Sequence, residues 1–182
     1  MKTPECLGRM DDKGITLTEL LIVVGIIGIL AVALGFIYTG WMGPYKMEKA
    51  TKDLYTSLMS ARSLALTQNR MYFVTLVDAN NYSVTADTND STTLNAGDLP
   101  LATYPKRVEY PLNWNGAAPA NRSISFDKRG IINLEPAAVW VDSVISLTTA
   151  ANVDPDYNCI VISQTRIRMG KWNLGTGVCD AK

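Results

Sequence analysis

From Leu20 to Tyr45 the chain carries no charged residue, and Leu20 to Tyr38 reads LLIVVGIIGILAVALGFIY. A helix crosses the hydrocarbon core of a bilayer in roughly 20 such residues. A helix packed on a soluble core would show polar residues every third or fourth position, and this stretch shows none. The run exceeds the roughly 7–15 apolar residues of a secretory signal peptide. It is followed by Thr39, Gly40 and Trp41 rather than a small-x-small cleavage site. The sequence therefore predicts a retained apolar helix over residues 15–45 that needs lipid or other copies of itself.

The rest of the composition narrows the function. Hydrophobic residues make up 47% of 182, and 17 basic side chains balance 17 acidic ones. Such a chain is not disordered, and zero net charge excludes polyanion binding driven by bulk charge. There is no histidine, so mechanisms that use a histidine base or ligand are excluded. The chain carries no phosphate-binding glycine loop and no metal-ligand cluster. Asp87, Asp90 and Asp98 share one polar loop with Asn89 and Asn95. Their spacing does not match an EF-hand loop, and the loop reads as solvated. Nothing points to an enzyme or to a cofactor. A membrane-tethered enzyme has no residues to support it.

The residues before the run have a specific pattern. Glu19 lies directly before the apolar stretch, and Gly14 precedes Ile15. A carboxylate beside a membrane segment is costly and usually has a partner. Cleavage after Gly14 would create an α-amino group at Ile15, one helical turn from Glu19. The stretch DKG followed by ITLTELLIVVGIIGILA resembles the prepilin signal of type IV pilins and type II secretion pseudopilins. That resemblance implies a cut between Gly14 and Ile15, N-methylation of Ile15, and an assembly role for Glu19. It implies as partners a prepilin peptidase, an inner-membrane assembly platform, inner-membrane lipid and other pilin or pseudopilin subunits. It also implies a cytoplasmic N-terminus in a single-pass inner-membrane protein, and later a periplasmic or extracellular filament. Basic residues number three before the run and four soon after it, so the positive-inside rule does not settle orientation. Ile15 stands where the family usually has phenylalanine. Met10 offers a second start, and either start gives the same mature chain.

Residues 46–70 read as an amphipathic continuation. Met47, Ala50, Leu54, Leu58, Ala61 and Ala65 recur at steps of three or four, one face of a helix. Both halves together make a helix of about 55 residues, roughly 80 Å long. From residue 71 to 182 the pattern is strand-like. Strands are predicted over Met71–Val77, Tyr82–Ala86, Lys106–Tyr110, Ser123–Phe126, Ile131–Leu134, Val139–Leu147 and Cys159–Ser163, with a tight turn at Asp127–Gly130. A helix followed by many short strands implies α+β with a mainly antiparallel sheet.

The order of ARSLALTQNR, SFDKRG and TRIRMG along this region resembles the GspH/FimT-type pseudopilins and minor pilins. Cys159 and Cys179 are expected to pair outside the cytoplasm, where disulfides persist. Cys6 would leave with the leader. Arg166 and Arg168 alternate in TRIR, so in a strand they share a face, and Lys171 follows. TRIR resembles the GRxR motif of DNA-binding FimT-like minor pilins, with Thr165 in place of its glycine. Two readings stay open for these residues: a nucleic-acid contact, or solvated charge that protects an edge strand.

Overall fold

The computed structural model of the chain describes residues 14–119, 121–135, 142–148 and 153–182; the side chains of residues 34–41 and 135 are outside that description. Among the described residues one long helix, α1 (Leu17–Gln68), precedes eleven strands. The chain divides into two compact units, Met1–Trp41 and Met42–Lys182, and α1 contributes to both.

In the first unit, Ile15, Leu17, and the large apolar residues from Leu20 to Val32 are all exposed, between 49% and 81%. Among the described residues of this unit no stripe of the helix is covered, which matches the absence of amphipathic periodicity in its sequence. Among the described residues no helix is long and apolar enough to cross a membrane. The expected span over residues 15–45 falls partly on residues 34–41, whose side chains lie outside the description.

In the second unit the amphipathic half of α1 buries its stripe. Met47, Leu54, Leu58, Ala61 and Ala65 are at most 1% exposed, and Ala50 is partly buried against them. The helix stops in a Schellman cap: Asn69 takes the left-handed conformation (φ 50°), and the Arg70 amide donates back to the Ala65 carbonyl at 3.3 Å.

The strands form two antiparallel sheets. The first comprises β1 (Tyr72–Leu76), β2 (Asn81–Ala86), β3 (Leu99–Pro100), β4 (Lys106–Arg107), β6 (Arg122–Phe126) and β7 (Ile132–Glu135). Its order is β3-β2-β1-β6-β7, and β4 also pairs with β2. The second comprises β5 (Leu112–Trp114), β8 (Ser143–Leu147), β9 (Cys159–Ile162), β10 (Ile167–Asn173) and β11 (Val178–Ala181), in the order β11-β10-β9-β8-β5. One core joins them. Tyr72, Val74, Leu76, Ile124 and Phe126 of the first sheet pack with Ile145, Ile160 and Ile162 of the second and with the helical stripe. The α+β class with antiparallel pairing agrees with the sequence reading.

Two expected strands differ. Lys106–Tyr110 is a strand only over Lys106–Arg107. Val108 turns into the core and its amide donates to the Asn80 carbonyl at 2.7 Å, a bond outside the β2–β4 ladder. Val139–Leu147 is described as a strand from Ser143, and residues 139–141 lie outside the described residues.

Candidate functional site

The N-terminal end of α1 carries the expected processing and assembly residues. Gly14 has open space on its Cα, with nothing within 4 Å of a built Cβ, and Ile15 is 74% exposed. Thr16 is the N-cap. Its carbonyl accepts the first helical bond from Leu20 at 3.1 Å, and its hydroxyl accepts from the Glu19 amide at 3.2 Å. Thr16-x-x-Glu19 is the signature of a capping box. Glu19 lies exposed in the first turn, where the helix dipole favours a negative charge. The same turn would present that carboxylate to a new α-amino group at Ile15.

The scattered motifs of the head converge at the C-terminal end of α1. Ala61 and Ala65 of ARSLALTQNR are buried. Arg62 reaches the β9–β10 connection, where its Nη1 donates to the Thr165 carbonyl at 3.0 Å. Between β6 and β7, Asp127 organises the DKRG turn. Its Oδ1 accepts from the amides of Arg129 and Ile131, each at 2.8 Å. Desolvation pushes the Asp127 carboxyl up, but the bonds from Ile131 and Arg129 together outweigh it and hold the group below the usual carboxylate range. Gly130 takes a φ of 73°, and a Cβ there would come within 3.2 Å of the Leu66 side chain. The turn thus rests on the helix end. The Ile132 amide donates to the Gln164 carbonyl at 2.9 Å, which ties β7 to the same β9–β10 connection. The three motifs are one packed junction.

Residues 50–166 match the family model of the type II transport protein GspH. The chain belongs to the GspH family. Residues 9–35 of this pseudopilin match the prokaryotic N-terminal methylation motif, which takes in Gly14, Ile15 and Glu19. No curated protein and no solved structure matches the chain. The GspH family is one of filament subunits rather than enzymes, and membership implies a membrane-anchored chain that assembles with other pilin or pseudopilin subunits.

Past residue 166 the pseudopilin continues beyond the family match. Cys159 and Cys179 are joined as expected, with their Cα atoms 6.1 Å apart. The bond links β9 to β11 across β10. Gly170 of β10 lies opposite Cys159, and a Cβ there would run into the Asp180 carbonyl oxygen and lie 2.8 Å from the Ala181 Cα. Only glycine lets β11 approach this closely.

Of the three basic residues singled out in the sequence, Lys171 does not share a strand face with Arg168. Arg166 precedes β10 and Arg168 lies in it, both exposed. Lys171 is of opposite parity to Arg168, so it belongs to the other face of the strand. Its Nζ is 2.6 Å from Asp154 Oδ1, and that hydrogen bond, opposed by desolvation and aided by the charges of Asp154 and Asp156, holds its pKa above the ordinary lysine value.

The loop after β2 is exposed over residues 88–97, as a solvated segment should be, and departs from that expectation only at its two ends. Asp87 and Asp98 are buried. Asp87 accepts from the amides of Asn89, Ser91 and Thr92, and Asp98 from those of Thr88 and Asn95. Their oxygens are occupied by backbone donors, and among the described residues no group of side chains could hold a metal ion.

Proposed function

We propose that this GspH-family chain is a minor subunit of a type II secretion or type IV pilus filament. A prepilin peptidase cuts it between Gly14 and Ile15 and methylates Ile15. Residues 15–45 span the inner membrane with the N-terminus cytoplasmic until the assembly platform extracts the subunit into the filament. The observation that carries this reading is the methylation-motif match over residues 9–35, with Glu19 in the first turn of α1. The family description, a type II transport protein, favours the secretion filament.

Glu19 neutralises the α-amino group of Ile15, its own or a neighbour's, as the subunit docks. An unpaired charge among apolar helices is strongly unfavourable, so the pair selects one register. Glu19→Ala is expected to abolish incorporation into the filament, read by immunoblot of sheared filaments, and to leave the thermal unfolding of the Met42–Lys182 unit unchanged. Incorporation at the wild-type level would remove this role.

A second reading, DNA binding in uptake, is supported by the exposure of Arg166 and Arg168 on the outer side of the β9–β10 hairpin. With zero net charge, such affinity would come from a local patch and fall steeply with salt. Fluorescence anisotropy of the detergent-solubilised chain across a salt series tests it, with Arg166→Ala/Arg168→Ala alongside. No salt-sensitive binding in the wild type leaves the arginines as surface charge.

A further inference from the structure

Lys46 is the first charged residue after the charge-free run, and it begins a basic groove inside the second unit. The groove has a volume of about 530 Å³ and is lined by Lys46, Lys49, Asp53, Lys106, Arg107 and Glu109, a size within the roughly 300–1,000 Å³ of small-ligand sites. Four cations face two carboxylates there. Glu109 is taken up by Lys46 at 3.7 Å. Among the described residues neither Lys49 nor Arg107 has an ion-pair partner. Lys106 is held in place from below: its Nζ donates to Ser57 Oγ at 3.4 Å and lies 5.0 Å from the centre of the Tyr104 ring. Ser57 in turn bonds the Tyr82 hydroxyl at 2.9 Å. One lysine is thus fixed and two cations are unpaired, while Asp53 is the carboxylate that opposes an anion.

We propose that this groove binds the anionic phosphodiester headgroup of a membrane lipid. Lys46 and Lys49 lie within about a helical turn of Tyr45, where the charge-free run ends, so they come at headgroup depth where that run leaves the bilayer. The excess of positive charge selects a lipid with a net negative charge, such as phosphatidylglycerol, over zwitterionic phosphatidylcholine. The lipid source rests on the membrane-spanning reading above; the phosphodiester rests on the groove alone.

The test reads amine acylation of the full chain by mass spectrometry, with Lys128 and Lys182 as internal controls. One arm uses nanodiscs of phosphatidylcholine with or without phosphatidylglycerol. The other uses detergent-solubilised chain with short-chain phosphatidylglycerol, inorganic phosphate or a single-stranded oligonucleotide. An anionic surface favours each nearby cation by about fivefold. Acylation of Lys49 and Lys106 is therefore expected to slow about fivefold with phosphatidylglycerol in both arms, with the controls unchanged. The Lys49→Gln/Arg107→Gln variant is expected to lose most of the protection at Lys106. Unchanged rates in the detergent arm overturn the proposal. So does protection by the oligonucleotide alone, which assigns the groove to nucleic acid, or equal protection by inorganic phosphate, which removes the lipid. A chain that stays out of the nanodiscs contradicts the membrane-spanning reading instead, and the detergent arm still decides the groove.

Discussion

Removing the Cys159–Cys179 bond is the sharpest perturbation of the head. The bond closes a loop of 20 residues that contains β10 and the tip of the β10–β11 hairpin. The chain-entropy expression gives a stabilisation of about 3 kcal/mol for a loop of that length. One kcal/mol moves the midpoint by roughly 2–4 °C in domains of this size or somewhat larger, so the midpoint is expected to fall by about 10 °C. Cys159 is fully buried, so Cys159→Ala/Cys179→Ala also opens a small cavity. Reduction of the wild type carries no such cavity and isolates the loop contribution. Thermal unfolding of the detergent-solubilised chain, followed by tryptophan fluorescence, with and without reductant, measures both. A shift below about 2 °C on full reduction would refute the reasoning, because it would mean that the unfolded chain gains almost no freedom when the loop is opened.

Other perturbations follow the same logic. Gly170→Ala sets a Cβ against the backbone of Asp180 and Ala181, which cannot yield as a side-chain end can; a loss of about 2–3 kcal/mol is expected in chemical denaturation. Leu54→Ala removes a fully buried side chain from the helical stripe and is expected to cost about 2–5 kcal/mol by the same assay. Arg62→Ala breaks the bond to Thr165, with an expected cost of about 1 kcal/mol and faster amide exchange at the β9–β10 connection. Tyr82 has its pKa pushed up to about 12, first by desolvation and against the Ser57 hydrogen bond. Its neutral form is favoured in the fold, so the stability it contributes is full below about pH 10 and is lost as pH rises toward 12. In an ultraviolet titration Tyr82→Phe is expected to remove a phenol that ionises near pH 12; an unchanged curve would contradict the burial assigned to it.

How much of this could be read in advance depended on whether the cause was local. The stripe from Met47 to Ala65 was legible because burial on a helix repeats every 3.6 residues. The β1–β2 hairpin and the DKRG turn were legible because their turn residues follow from backbone geometry. The pairing of Cys159 with Cys179 followed from the compartment that the family resemblance implies. Strands β3, β5, β10 and β11 were not among the predicted strands: β3, β5 and β11 have two to four residues, too few to show alternation, and in β10 Gly170 interrupts the pattern. The burial of Asp87 and Asp98 had no signal either, because their partners are backbone amides, which every sequence has. The convergence of Arg62, Gly130 and Thr165 on one junction depends on long-range packing, as does the ion pair of Lys171 with Asp154. Thr16-x-x-Glu19 is different: its capping signature was in the sequence, overshadowed by the carboxylate's expected role in assembly.

The central claim is that Gly14 and Ile15 mark where a membrane-held precursor becomes a filament subunit. The most direct measurement is the mass of the N-terminal peptide of the protein isolated from its native membranes. The account expects a chain that begins at Ile15 with one methyl group on its α-nitrogen. A mature chain that still carries Lys13 and Gly14 ahead of Ile15 would contradict it.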